Sequence, residues 1–72
     1  MRILGVDPGL TRCGFGVIDS AANRTASFVD VGVIRSAPEL ALDQRLKLVG
    51  DGIAEVLDRH RPEVVSLERV FA

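Results

Sequence analysis

Two carboxylates occupy equivalent points in this sequence: Asp7 closes the apolar run Ile3-Leu4-Gly5-Val6, and Glu68 closes the run Val64-Val65-Ser66-Leu67. Each run reads as a short buried strand. Both acids then fall at strand C-terminal ends, where open α/β sheets bind their ligands. If the strands are neighbours, about 4.8 Å apart, two ionised carboxylates repel unless one is protonated or a cation lies between them. A divalent cation is the economical answer, and an all-oxygen donor set favours Mg²⁺ or Mn²⁺ over Zn²⁺. Mg²⁺ is typically held by one or two protein carboxylates, with positions left for water and a substrate phosphate. Spacing alone leaves a plainer reading open, in which Asp7 opens an Asp-Pro-Gly turn and Glu68 is an ordinary strand-end acid.

The elements that must bring these acids together are marked along the chain. Residues 3–6, bounded by Pro8-Gly9, have the pattern of a central strand buried on both faces. Pro8-Gly9-Leu10-Thr11-Arg12 is a turn short enough to send the chain back antiparallel into Gly14-Phe15-Gly16-Val17-Ile18. Polar residues 20–24 make a second reversal, and Phe28, Val29, Val31, Val33 and Ile34 support a longer third strand over residues 26–34. Ser36-Ala37-Pro38-Glu39 then has the form of a capping box. Leu42, Leu46, Val49, Ile53, Val56 and Leu57 recur on one helical stripe. The capping box either opens this helix or closes a separate turn before a start near Ala41 or Leu42. Gly50 projects close to the stripe, which predicts close approach of helix and sheet there. Arg59, His60 and Arg61 suit the negative end of the helix dipole, and Pro62 stops the helix. A strand reached through a helix runs parallel to its neighbour, and the right-handed crossover lays residues 64–68 beside the first strand.

Composition sets the outer limits. Seventy-two residues suit one small domain at most, and 47% hydrophobic with 26% charged residues is a globular balance. The single Cys13 excludes an intramolecular disulfide and reads as a small buried hydrophobe. With no zinc ligand set, a reducing, cytoplasmic setting is expected. A net charge of -1 excludes a broad electrostatic footprint for nucleic acid, so any basic surface must be local. Eight of the nine basic residues are arginine, which suits bidentate pairing to phosphate. No stretch reaches membrane-spanning length, and Asp7 breaks the first apolar run far short of a signal peptide's core. His60 reads as a helix C-terminal cation or a surface residue.

The segment Ile3-Leu4-Gly5-Val6-Asp7-Pro8-Gly9-Leu10-Thr11-Arg12-Cys13-Gly14-Phe15-Gly16-Val17-Ile18 resembles the start of the RuvC family, bacterial Holliday-junction resolvases of the RNase H-like superfamily. Arg45-Leu46-Lys47-Leu48, Pro62 and Leu67-Glu68-Arg69-Val70-Phe71 continue that resemblance in the same order. It implies an α/β, RNase H-like fold with three antiparallel strands, one helix and a fourth strand parallel to the first, in sheet order 3-2-1-4. It also implies a two-metal endonuclease that cuts four-way DNA junctions as a homodimer in recombination and repair, in association with a branch-migration motor complex. On this resemblance Asp7 and Glu68 are catalytic metal ligands for Mg²⁺ or Mn²⁺. Phe71 is, on the same resemblance, an aromatic that stacks at the junction, while Arg69, between Glu68 and Phe71, and Arg12, in the turn after Asp7, are candidate DNA contacts by position. The family's two remaining carboxylates lie on a later helix, so residues 1–72 are expected to be the N-terminal portion of a single nuclease domain, inactive alone. Two alternatives stand beside this reading. One is the phosphate-binding hairpin of actin-like and sugar-kinase ATPases, in which Gly9-Leu10-Thr11 would face ATP. The other is a non-catalytic assembly fragment whose open fourth-strand edge pairs with another chain.

Overall fold

The computed structural model describes residues 1–68. Five elements follow one another: β1 (Arg2–Asp7), β2 (Arg12–Ser20), β3 (Ala26–Arg35), α1 (Leu42–His60) and β4 (Val64–Leu67). The sheet order is β3-β2-β1-β4. β1 is antiparallel to β2 and parallel to β4, and β2 is antiparallel to β3, so the meander and the helical crossover form as the turns and periodicity predict.

Strand alternation divides the sheet into two unlike faces. On one face Leu4, Val6, Cys13 and Val17 are buried with Val56 of α1, and Phe15, Ile34, Val49 and Ile53 pack around them. Cys13 is the small buried hydrophobe its context suggests, 1% exposed. β3 carries one extra residue opposite the step between Val17 and Ile18. That residue, Val29, packs against the core, as a bulge that re-aims a side chain allows. The other face carries Gly5, Asp7, Gly14, Gly16, Phe28, Val31, Val33 and Ser66, and nothing among the described residues covers it. Phe28 is 72% and Val31 65% exposed. The expectation that β1 is buried on both faces is therefore corrected. β1 is central in strand order, but a single helix can cover only a single face.

At its start the helix takes the second of the two readings, and it departs from expectation in its glycines. It begins at Leu42 after Ala41, which makes no side-chain cap, and the capping box does not form. Ala37 to Leu40 closes a separate turn through the Leu40 N–H and the Ala37 carbonyl, 3.1 Å apart, while the Ser36 hydroxyl bonds elsewhere. Leu42 and Leu46 remain exposed, so only the C-terminal part of the stripe reaches the core. The close approach also falls two residues later than predicted. Nothing lies within 4 Å of a Cβ built on Gly50, whereas one on Gly52 would stand 2.7 Å from Ile34 Cγ2.

The C-terminal end of α1 is tied down firmly. Arg61 turns left-handed at φ 48° and its N–H donates to the Leu57 carbonyl at 2.9 Å. His60 stands in the last turn of α1 as its reading there requires, but it is largely buried rather than a surface residue and shares a 2.8 Å hydrogen bond with Asp30 of β3. Arg2 clasps Asp19 with two bonds of 2.8 and 2.9 Å and reaches the His60 carbonyl at 3.2 Å. These contacts gather at the start of β1, the end of the sheet remote from Asp7.

Candidate metal and nucleic-acid site

At the opposite end, β1 and β4 deliver the two acids to one place. The parallel register pairs Val6 with Leu67, and the Glu68 N–H extends the ladder by donating to the Val6 carbonyl at 2.9 Å. Asp7 and Glu68 accordingly line the same depression of ≈ 570 Å³ on the open face. Its floor is backbone. Gly5 of β1 lies opposite Gly16 of β2, and Asp7 lies opposite Gly14, so no side chain from β2 rises between the acids and a ligand entering from solvent. Ser66 adds a hydroxyl to the rim.

Among the described residues no cation pairs with either acid. The ion pairs among the described residues engage Asp19, Asp30, Asp51, Glu55 and Asp58, and neither Asp7 nor Glu68 takes part in one. Two carboxylates and a hydroxyl on a bare, solvent-open floor match the hard, oxygen-rich donor set that Mg²⁺ or Mn²⁺ takes, with room for water and phosphate. Among the described residues no third histidine, cysteine or acid joins them. The arrangement fits a divalent cation in kind while supplying only part of a full ligand shell.

Arg12 opens β2 and stands directly opposite Arg35, the last residue of β3. Both are exposed, and neither forms an ion pair among the described residues. Like charges placed opposite across a sheet oppose pairing, so this pair favours an external anion. Arg69 and Phe71 lie outside the described residues.

Two residues that the sequence did not assign to the site, Ser36 and Arg45, support the loop leading away from Asp7, and a third, Arg35, stands opposite Arg12. Arg35 escaped notice because strand register is not written in a single sequence. Ser36 was hidden by its capping-box context. Arg45 carried a usable signal: Ala41, Leu42, Leu48 and Val49 occupy its i±3 and i±4 positions, so its guanidinium has no acid on its own helix to pair with. It donates instead to Ser36 Oγ at 3.1 Å and Thr11 Oγ1 at 2.8 Å.

Comparison with known proteins now decides between the readings. A family model described as "Crossover junction endodeoxyribonuclease RuvC" matches residues 3–72. The chain belongs to the RuvC family. Crossover junction endodeoxyribonuclease RuvC of Clavibacter sepedonicus is 64% identical over 72 residues, covering all of this chain and 35% of that relative. RuvC of Renibacterium salmoninarum is 61% identical over the same span, which is 37% of its length. A solved structure described as T. thermophilus RuvC in complex with Holliday junction substrate superposes with a TM-score of 0.89 at 32% identity, covering all of this chain and 46% of that one. The chain thus spans about a third of the length of the curated RuvC relatives it matches. The four-stranded sheet and its crossover helix are the RuvC form of the RNase H-like fold, which sets aside the ATPase-hairpin alternative. No helix among the described residues is long and apolar enough to cross a membrane.

Proposed function

We propose that these residues supply one half of the catalytic site of a metal-dependent endonuclease that resolves four-way DNA junctions. The observation that carries the reading is the delivery of Asp7 and Glu68 by adjacent parallel strands to one glycine-floored depression, with no ion pair to either acid among the described residues. Asp7 and Glu68 would hold Mg²⁺ or Mn²⁺, two ions in the complete site. A bound divalent ion supplies activation of the attacking water and stabilisation of the leaving oxygen. The protein's own part is placement. Gly5, Gly14 and Gly16 leave the sheet backbone bare, so a phosphodiester can come close to the carboxylates. Arg12, with Arg35 opposite it, would take a neighbouring backbone phosphate, a contact that orients DNA without reading its sequence. Arg69 is assigned the same role from its place between Glu68 and Phe71 in the sequence, and Phe71 is assigned stacking on bases at the junction on the family resemblance. A homodimer acting with a branch-migration motor on junction DNA is proposed on the same ground, with residues 1–72 forming the N-terminal portion of a single nuclease domain.

The experiment is single-turnover cleavage of a four-way junction with Mg²⁺ by a full-length protein carrying this segment. Asp7→Asn and Glu68→Gln should each reduce cleavage by about a hundredfold or more, since a metal contributes several kcal/mol of transition-state stabilisation. Junction binding measured in Ca²⁺ should stay within a few fold. Cleavage retained by Asp7→Asn would remove the role given to that residue.

A further inference from the structure

The chain turns away from the site through Pro8, Gly9, Leu10 and Thr11, directly after Asp7, which closes the β1–β2 ladder opposite Gly14. The turn is tight. A Cβ on Gly9 would collide with the Arg12 carbonyl oxygen, so only glycine lets the backbone close on itself there. Apolar packing does little to fix it from outside. Between Pro8, Gly9 and Leu10 on one side and Leu46 and Val49 of α1 on the other lies an open crevice of ≈ 360 Å³.

Polar bonds tie the turn to Ser36 and to α1 instead. Ser36, 3% exposed, accepts from Arg45 Nε at 3.1 Å and donates its hydroxyl to the Leu10 carbonyl. The Ser36 backbone N–H donates to the Thr11 carbonyl at 3.2 Å, and Arg45 Nη2 donates to Thr11 Oγ1 at 2.8 Å. Arg45 therefore reaches the turn twice, once directly and once through Ser36. Its helix is itself seated on the sheet by Val49, Ile53 and Val56. A planar guanidinium with its donors in a fixed fork suits such a bracket. A lysine could keep the charge and a single bond, but not both.

We propose that Arg45, acting through Ser36 and Thr11, is a positioning residue for Asp7: it brackets the 8–11 turn to α1 and so fixes the direction in which Asp7 presents its carboxylate to a divalent cation. The inference rests on the proposed role of Asp7. Partners that orient a metal ligand typically cost about 10–100-fold in metal affinity or activity when removed, and a bracket one residue further out should fall at the lower end of that range.

The test compares Arg45→Ala, Arg45→Lys and Ser36→Ala with the unsubstituted full-length protein in three measurements. The first is amide hydrogen exchange, the second the Mg²⁺ concentration for half-maximal single-turnover cleavage of a four-way junction, and the third junction affinity in Ca²⁺. Arg45→Ala should speed exchange of the Ser36 amide, which donates to the Thr11 carbonyl, while the β1–β2 ladder stays protected. It should raise the Mg²⁺ midpoint about tenfold and leave junction affinity within a few fold, and Arg45→Lys should recover part of the loss. Unchanged exchange of the Ser36 amide would overturn the bracket. So would a loss confined to junction affinity, which would make Arg45 a phosphate contact. A full-length protein that fails to cleave, or an Asp7→Asn variant that still does, would defeat the functional reading, while the exchange result would still judge whether Arg45 holds the turn.

Discussion

Arg12 and Arg35 are the residues whose function can be tested most directly by salt. Two arginines opposite one another, both exposed and without an ion pair among the described residues, weaken the strand pairing that holds them unless an anion lies across both. If each meets one phosphate, Arg12→Ala and Arg35→Ala should each flatten the slope of log affinity against log salt by about 1. The single-turnover rate at saturating protein should change little, and a slope unchanged in both variants would rule the contact out. At the other end of the sheet, Asp30 and Asp19 give the fold a different sensitivity. The hydrogen bond from His60, supported by the Val31 N–H, holds the Asp30 carboxyl below its ordinary value, and the Arg2 guanidinium does the same to Asp19. A carboxyl depressed in the folded state adds stability above its unfolded value, about pH 4, and loses it as pH falls through the folded value. Thermal melts should therefore weaken below about pH 4, less steeply in Asp30→Asn and Asp19→Asn, and parallel pH profiles for all three proteins would contradict this. Asp7 and Glu68 were readable because each ends an apolar run. His60 was not, because its partner lies thirty residues away on a strand whose bulge no local pattern announces.

For the elements, local signals carried most of the architecture. Turn-forming residues between β-rich runs marked the meander, and the stripe from Leu42 to Leu57 with Pro62 behind it marked α1 and the parallel return of β4. What could not be read was which turn of the helix touches the sheet, since that depends on how α1 is rotated and slid over β3. Gly50 and Gly52 separate the two kinds of information. Gly50 is exposed with open space around its Cα, so Gly50→Ala should gain about 1 kcal/mol from helix propensity alone. Gly52→Ala would gain the same propensity but place a methyl 2.7 Å from Ile34 Cγ2 and 3.0 Å from its Cγ1 and Cδ1. Overpacking of this kind costs about 1–3 kcal/mol, so the net change should be destabilising. Denaturant melts of the two variants should move in opposite directions, and equal stabilisation of both would mean that Ile34 yields freely. Gly16 extends the same reasoning to the site. A Cβ there meets nothing within 4 Å, so Gly16→Val should preserve the fold and fill the depression beside Asp7. Stability should hold while cleavage falls, and full activity in that variant would show that substrate does not use the glycine floor.

For the whole molecule, the decisive fact is that one helix covers one face of a four-stranded sheet. The apolar side chains left on the open face, Phe28 at 72%, Val31 at 65% and Val33 at 43% exposed, lie on neighbouring positions of one strand. On the covered face Val65 and Leu67 of β4 stay 49% and 70% exposed, because α1 packs toward β3. β4 pairs with β1 alone among the described strands, so its outer edge offers unpaired donors and acceptors beside those apolar groups. Contiguous apolar surface and an open strand edge both favour association with another chain. Expressed alone, residues 1–72 should accordingly self-associate, with a sedimentation coefficient that rises with protein concentration and a melt of low cooperativity. Two charge substitutions separate the routes. Phe28→Lys with Val31→Glu should disperse the assembly if the open face drives it, whereas Leu67→Lys should do so if the β4 edge does. Since none of these side chains is buried, circular dichroism should show the strands and helix retained in either case. A concentration-independent monomer with a sharp melt would mean that the core around Leu4, Val17 and Val56 suffices by itself, and that neither exposed surface is sticky enough to matter.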